Sequence, residues 1–592
     1  MTATPEPQKI SPASAQHVWL KNYPVDIDWD APVVPGTMVQ MFDDAVKKFK
    51  DRPCLNFMGT KYTYAELGDA VDRFAKGLQD QGIGKGSKVG LCLPNTPFYV
   101  IAYYGALKAG ATVVNFNPLY AEKELESQIN DSQTDIMVTV NVKHVLPKVD
   151  KMLGRTNLKK IICCDFSDAL PPVKKTALRV IDRVKRLFSK NLMVTASRDA
   201  RHIDFNDMLA SKGKPVPVAL STDDVAVLQY TGGTTGIPKA AALSHGNLSA
   251  NLQQAHLWFS GGKPQAEGER MLAVLPFFHV FSMTVQMNMS INSGIELVML
   301  PKFDVKDTLK TIDKEKPTMF AGVPTLYKAL IDCPDVKKYD LSSLKVCLSG
   351  GAALNEHVMK GFKDLTGVEL TEGYGLSETA PIATANPVFG QKKLNSIGLP
   401  VPQTEVKIIN LEFPDQRQPI RVEGEICLKG PQVMRGYWNR PDETAKVMDK
   451  EGFFHTGDVG YMDEDGYIFI VDRIKDMINA SGLKVFPRKV EEAVLMHPAI
   501  SECIVIGVDD EYRGETVKAF IVPRLGQKVD DKELLSFLKD KLAPYEMPKM
   551  IETRASLPKT MIGKPDKKAL VAEEKAKAAQ KKNGAAPKGP KA

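Results

Sequence analysis

A chain of 592 residues can bury more than one hydrophobic core, and at roughly 150 residues per domain it calls for several structural units. Six lysines and no acid fall between Lys575 and Ala592, so the formal charge of +7 shrinks to near +1 over the rest, which argues against a nucleic-acid-binding body. The eight cysteines show no C-x-x-C spacing and no zinc-type histidine neighbours; they indicate neither a disulfide framework nor a structural metal site and fit reduced thiols in a cytosolic enzyme.

The opening segment MTATPEPQKISPASAQHVWL has no apolar h-region and reads as a loose arm over residues 1–30. In KYTYAELGDAVDRFAKGLQDQGI the apolar positions Leu67, Val71, Phe74 and Leu78 recur at helical spacing, and Gly82 ends the pattern. KVGLCLPN then reads as a buried strand, FYVIAYYGALKAGATVVNF as helix, turn and strand, and ELESQINDSQTDIMVTV as helix and strand. This alternation predicts an α/β fold with helices laid on mostly parallel sheet.

The segment PPVKKTALRVIDRVKRLFSKNL places Ala177, Val180, Ile181, Val184, Leu187 and Phe188 on one helical face. Lys174, Lys175, Arg179, Arg183, Lys185, Arg186 and Lys190 fall largely elsewhere. Such a helix either lies on an anionic bilayer or docks its apolar stripe on its own protein, and periodicity alone leaves both readings open. Met271 to Gly294 carries no formal charge, but Pro276, His279, Gln286, Asn288 and Asn292 interrupt it. It reads as a buried strand, a loop over Pro276 to His279, and a core helix.

Chemistry concentrates in YTGGTTGIPK, Tyr230 to Lys239. Glycines let successive backbone N–H groups converge on one anion, and Thr231, Thr234, Thr235 and Lys239 add donors around Gly232, Gly233 and Gly236. The stretch fits neither a Walker A loop nor G-x-G-x-x-G. Downstream, SLKVCLSGGAAL runs a strand into Gly350, Gly351 and Ala352, where small residues let a flat ring approach the backbone. TEGYGLSET follows with Glu372, Gly373, Tyr374, Gly375 and Ser377; Tyr374 offers a stacking ring, and Glu378 the hard carboxylate oxygen that Mg²⁺ requires. In FHTGDVGYMDEDGYIFIVDRIKDMI, Asp458 follows a glycine turn and can accept from ribose hydroxyls, and Arg473 can reach ribose or phosphate with its fork of donors. Asp463, Glu464 and Asp465 read as solvated hairpin charges. Beyond them, SGLKVFPRKVEEAVLMHPAISECIVIGVDDEYRGETVKAFIV reads as turn, helix, strand, acidic turn and strand, a compact α+β unit.

These motifs, in this order from about Tyr62 to Leu570, closely resemble the adenylate-forming superfamily of acyl-CoA synthetases, luciferases and adenylation domains. LKAGATVVNFNPLYAEKELESQINDS is similar to bacterial long-chain fatty-acyl-CoA ligases in particular. The resemblance implies a large N-terminal domain of helix-covered sheets over residues 31–474, a smaller mobile α+β domain over 475–570, and a disordered Lys/Ala-rich tail over 571–592. It implies ATP, Mg²⁺ and coenzyme A, with a fatty acid as the acyl substrate. By the same resemblance Thr231 is expected to pair with Glu378 at the metal, the 350–352 and 372–375 segments to flank adenine, and the aromatic segment with His279 to line the acyl pocket and approach the nucleotide. The resemblance likewise gives Asp458 and Arg473 the ribose and phosphate, makes Lys475 coincide with the family's interdomain hinge, and sets Lys564 where the family carries its catalytic lysine. The P-D-K-K that follows Lys564 departs from the family's apolar, leucine and basic pattern.

The resemblance leaves oligomeric state open and includes aryl- and medium-chain acyl-CoA ligases, which share every motif. A peptide-synthetase module would continue into a carrier domain, whereas only a lysine, alanine and glycine tail follows Leu570. A non-catalytic nucleotide-binding, membrane-associated protein would not be expected to keep Glu378, Asp458 and Lys564 together. The location expected is cytoplasmic, peripheral on the inner face of the cell membrane through the basic helix.

Overall fold

The computed structural model describes residues 17–186, 191–197, 199–231, 239–263, 265–480, 483–510, 514–560 and 565–583. Contacts divide the chain into two compact units, one comprising Met1–Glu405, Leu428–Phe454 and Asp465–Tyr467, the other Val406–Cys427, His455–Glu464 and Ile468–Ala592.

Two large sheets organise the first unit. A seven-stranded sheet runs in the order His202–Asp204, Lys160–Cys164, Ile136–Val140, Lys88–Cys92, Thr112–Asn115, Val225–Thr231, Lys239–Ser244. Its members are parallel except at the end, where Val225–Thr231 and Lys239–Ser244 form an antiparallel hairpin. A nine-stranded sheet carries Ile382–Ala385, Thr371–Gly375, Val346–Gly350, Met319–Gly322 and Arg270–Ala273 as successive neighbours. The predicted α/β alternation is therefore the observed architecture.

Local chemistry explains the helices. Thr63 and Glu66 form a reciprocal capping box that starts Tyr64–Asp80, with Glu66 N–H donating to Thr63 Oγ1 at 3.2 Å and Thr63 N–H to Glu66 Oε2 at 2.7 Å. Leu67, Val71, Phe74 and Leu78 are fully buried along one face, each contributing roughly 1.5–3 kcal/mol of burial. Gly82 then turns the chain at φ +80°. The uncharged Met271–Gly294 stretch is strand Arg270–Ala273, a turn, and a buried helix whose first part, Ser282–Asn288, is π-helical. Among the described residues no helix is long and apolar enough to cross a membrane.

Helix Pro172–Arg186 faces opposite to the ordinary surface pattern. Val173, Val180, Ile181 and Val184 are exposed, and only Asp182 is buried. The side against the protein is polar: Arg179 binds Ser167, Asp165 and Asp168, and Asp182 Oδ1 accepts the backbone N–H groups of Leu192 at 2.6 Å and Met193 at 3.0 Å. Packing of the apolar stripe on the protein's own body is thus overturned for those residues, while Leu187, Phe188 and Lys190 lie outside the described residues.

The second unit holds a four-stranded sheet, Glu405–Ile409, Gly424–Lys429, Phe454–Met462 and Ile468–Arg473, and a five-stranded one centred on the long hairpin Ile500–Asp510 and Gly514–Pro523. Helix Pro487–Leu495 covers the latter through Val490, Ala493 and Val494. Two expectations change here. Residues 571–583, read as part of a disordered tail, continue helix Lys567–Asn583, where Glu573 pairs with Arg554, just past strand Met550–Thr553, and Glu574 with Lys518 of strand Gly514–Pro523. Asp463 is buried, unlike the solvated hairpin charge it resembled, whereas Glu464 and Asp465 are exposed.

Candidate active site

The hairpin Val225–Thr231 and Lys239–Ser244 closes with Thr231 opposite Lys239, and Thr231 Oγ1 donates to the Lys239 carbonyl at 3.3 Å. Gly232, Gly233, Thr234, Thr235 and Gly236 lie outside the described residues. The base of that loop is held by a third strand-like segment that sequence reasoning missed. Tyr437 bridges Ala241 in antiparallel register, Ala242 N–H donates to the Gly436 carbonyl at 3.0 Å, and Trp438 N–H to the Ala240 carbonyl at 2.8 Å.

That segment delivers a hydroxyl to Glu378. The Tyr437 OH donates to Glu378 Oε1 at 2.8 Å, and the backbone around the carboxylate is fixed by Met434 N–H donating to the Glu378 carbonyl at 2.7 Å. Burial, reinforced by the adjacent Glu378 carboxylate, pushes the Tyr437 phenol well above its usual range, so it remains a donor. The turn Ser377–Thr379 lies against both strands of the hairpin, which brings Glu378 into the neighbourhood of Thr231. Glu378 itself is buried, at 8% exposure.

Lys239 does not point its charge into open space. Its ammonium pairs with Glu443 and stands 5.5 Å from the Tyr437 ring centre. The same ammonium, by hydrogen bonding, holds the Glu443 carboxyl down at about 2. The segment RGYWNRPDE, which holds Tyr437 and Glu443, carries no local period or motif that would announce them; its relation to the hairpin is set by pairing distant in sequence.

On the nine-stranded sheet, Gly350 and Gly373 are direct register partners, and Tyr374 follows opposite Thr384. A Cβ on Gly350 would stand 3.1 Å from the Phe281 ring, so the aromatic segment after His279 packs on this glycine. Gly351 turns at φ +79°, and Ala352 is half-buried beyond it. Gly375 has a harder constraint: a Cβ there would lie 1.9 Å from the Pro381 carbonyl oxygen, which accepts from Leu376 N–H at 3.1 Å. The Glu372 carboxylate accepts from Leu354 N–H at 3.0 Å and so braces the 351–354 turn from beneath.

His279 ends the turn Pro276–His279, its Nδ1 accepting from Phe281 N–H at 3.3 Å. The turn is suspended on side chains at the carboxyl edge of the other sheet, from strands Thr112–Asn115 and Val225–Thr231, the loop after Lys88–Cys92 and the first turn of helix Pro97–Lys108. Asn95 exchanges hydrogen bonds with the Leu275 carbonyl and Phe277 N–H at 2.8 Å each, Tyr99 OH donates to the Phe277 carbonyl at 2.9 Å, and Gln229 Nε2 to the Phe278 carbonyl at 3.0 Å. Asn115 ties Tyr99 to Gln229 at 2.7 and 3.0 Å. Each such bond contributes about 1 kcal/mol net, and orphaning one buried member costs roughly 1–3 kcal/mol, so the network fixes one conformation for the aromatic turn.

Asp458 and Arg473 belong to the second unit. They are antiparallel register partners, and Arg473 Nε donates to Asp458 Oδ1 at 3.1 Å. Gly457 adopts φ +71° within the strand, so Asp458 continues a bulged strand and does not begin a new element. Asp458 is buried while the Arg473 side chain is half exposed. The next residues form a short helical turn containing Lys475, whose ammonium is pulled below its usual range by burial and by the neighbouring Arg473. Lys564 lies outside the described residues.

The chain belongs to the AMP-binding enzyme family, which matches residues 42–438, with the AMP-binding enzyme C-terminal domain matching 489–564. It is 43% identical over 573 residues to a long-chain-fatty-acid–CoA ligase of Bacillus subtilis (strain 168), covering 95% of this chain and 98% of that protein. A long-chain-fatty-acid–CoA ligase of Escherichia coli O6:H1 is 38% identical over 92% of this chain and 96% of its own length. Among solved structures, ATP-bound MatB from Rhodopseudomonas palustris superposes with a TM-score of 0.78 at 26% identity, covering 90% of this chain and 98% of that one.

Proposed function

We propose that this chain is an ATP-dependent, AMP-forming ligase that joins a long-chain fatty acid to coenzyme A. The observation that carries this reading is identity of 43% across nearly the whole length of a protein bearing that name. The site agrees in chemistry. Glu378 and Thr231 would hold Mg²⁺, a fit supported by a buried carboxylate with one oxygen oriented by Tyr437 and by the turn that sets it against the hairpin. When bound, the ion neutralises phosphate charge and orients the phosphate oxygens.

The first half-reaction joins two anions: a fatty carboxylate attacks the α-phosphorus of ATP, giving acyl-adenylate and releasing pyrophosphate. Positioned donors must offset their repulsion, and in this reading the 231–239 loop and the Lys564 ammonium supply them. The segments Gly350 to Ala352 and Glu372 to Gly375, with Ser377, frame the adenine; Asp458 accepts from ribose hydroxyls and Arg473 reaches ribose or phosphate. The aromatic segment with His279, on its braced turn, lines the acyl pocket and approaches the nucleotide. In the second half-reaction the CoA thiol attacks the acyl carbon and AMP leaves. Lys475 serves as the pivot that exchanges the Lys564 surface for a CoA-facing one between the two halves.

We further place the enzyme in the cytoplasm, reversibly on an anionic bilayer. Supporting this are the outward Val173, Val180, Ile181 and Val184 beside Arg183, Lys185 and Arg186, and eight free thiols. The deciding experiment separates the half-reactions in Lys564→Ala. Fatty-acid-dependent pyrophosphate exchange should fall about 10²-fold, while thioester formation from supplied acyl-adenylate persists. Equal loss in both halves, or thioester formation confined to aryl or medium-chain acids, overturns the assignment.

A further inference from the structure

The sequence shows no linear metal motif, yet strand pairing assembles one in the second unit. Glu425 and Cys427 lie two residues apart on strand Gly424–Lys429 and so share a face. The adjacent strand, Phe454–Met462, places His455 beside them, its register pinned by Thr456 Oγ1 donating to the Ile426 carbonyl at 2.7 Å. One ligand atom from each residue lies within 4.8 Å of the other two. His455 Nδ1 and Glu425 Oε2 are already 2.9 Å apart, and the second carboxylate oxygen, Glu425 Oε1, accepts from Gly457 N–H at 2.9 Å. The carboxylate is therefore held by the backbone with one oxygen aimed at the imidazole. Its side chain and that of His455 are 14% and 20% exposed, and Cys427 is fully buried.

From this arrangement we infer a binding site for a borderline-soft divalent cation of the zinc class, formed by Glu425, Cys427 and His455. A thiolate, an imidazole and a carboxylate are the donor set that such ions select, whereas Mg²⁺ and Ca²⁺ prefer oxygen alone. With metal bonds of roughly 2.0–2.3 Å, ligand atoms of a tetrahedral shell stand about 3.5 Å apart, so closing the cluster requires side-chain shifts of about 1 Å. Binding replaces the hydrogen bond between His455 and Glu425, the neutral imidazole keeping its proton on the ring nitrogen that does not bind the metal, and the Cys427 thiol releases its proton to solvent. The fourth position is left for water.

The test uses untagged full-length protein dialysed against Zn²⁺, and separately Co²⁺ as an optical probe. One ion per chain is expected, with a near-ultraviolet thiolate-to-cobalt absorption and release of protons on binding. His455→Gln, at a position only partly buried, should weaken binding at least about ten-fold, and Cys427→Ser should abolish the sulfur band. Should Cys427→Ser fail to fold, His455→Gln and the wild-type spectrum still decide. Absence of a stoichiometric ion in the wild type, a cobalt spectrum without the sulfur band, or unchanged affinity in His455→Gln overturns the site.

Discussion

Tyr437→Phe isolates one bond of the candidate active site. The substitution removes the hydroxyl that donates to Glu378 at 2.8 Å but keeps the ring beside Lys239 and the backbone bridge to Ala241. The fold should survive, since no core volume is lost. A hydrogen bond to a charged group contributes about 1.5–3 kcal/mol, and each 1.4 kcal/mol is a factor of ten. If that energy holds the Glu378 carboxylate in its working orientation, fatty-acid-dependent pyrophosphate exchange should fall roughly ten-fold to a hundred-fold. The midpoint of its Mg²⁺ dependence should rise in parallel. Thioester formation from supplied acyl-adenylate, which needs no phosphate clamp, should change less than about two-fold. Exchange at the wild-type rate with an unchanged Mg²⁺ midpoint would refute the view that Tyr437 orients a metal ligand.

Lys475→Pro should spare pyrophosphate exchange and block thioester formation, because proline resists the backbone torsion change that a pivot requires; full-rate thioester formation would remove Lys475 from that role. His245 is buried with Nδ1 accepting from Met38 N–H at 3.2 Å, and burial lowers its pKa from 6.5 to about 4. The unfolded chain therefore binds the proton first as pH falls: this stability is fully present above about pH 6.5, diminishes by about 2 kcal/mol at pH 5, and is lost to roughly 3 kcal/mol by pH 4. Urea midpoints from pH 7.5 to 4.5 should show His245→Gln with a flatter profile than the parent, and parallel profiles would show that another group controls acid unfolding. Replacing Val180, Ile181 and Val184 by Ser should abolish sedimentation with anionic vesicles, and raised salt should weaken binding of the parent; sedimentation unchanged by either would end the membrane proposal.

The parallel sheets were legible because strand and helix periods alternate over Lys61 to Val140 with little interruption, and buried positions such as Leu67 and Phe74 follow directly from that period. The Gly350 and Gly373 pairing was half legible: the glycines announce a close approach, but only the register shows that they face each other and that Phe281 fills the first. Tyr437 was not legible at all. A tyrosine in RGYWN has no local period or motif, and its role exists only through antiparallel pairing with Ala241, nearly two hundred positions earlier, and a hydroxyl aimed at Glu378. The same holds for Asn95, Asn115 and Gln229, ordinary polar residues at strand ends until the two sheets converge on the turn before His279.

Helix Pro172–Arg186 shows why amphipathicity alone does not assign a face. Its period supplies a stripe, but the direction of the stripe depends on which side finds better partners. Asp182 satisfies two backbone N–H groups and Arg179 bridges two aspartates and a serine, so turning the helix over would carry Asp182 into solvent and leave the N–H groups of Leu192 and Met193 without their acceptor. The Arg179 pairs are half exposed and contribute little, so the term that favours this orientation is the buried Asp182 carboxylate, whose two backbone donors would each cost roughly 1–3 kcal/mol if orphaned. The polar side is therefore the anchor, and the valines and isoleucine face outward because the fold has already used the other side. An apolar strip rimmed by Arg183, Lys185 and Arg186 is then the surface on which the proposed contact with an anionic bilayer rests.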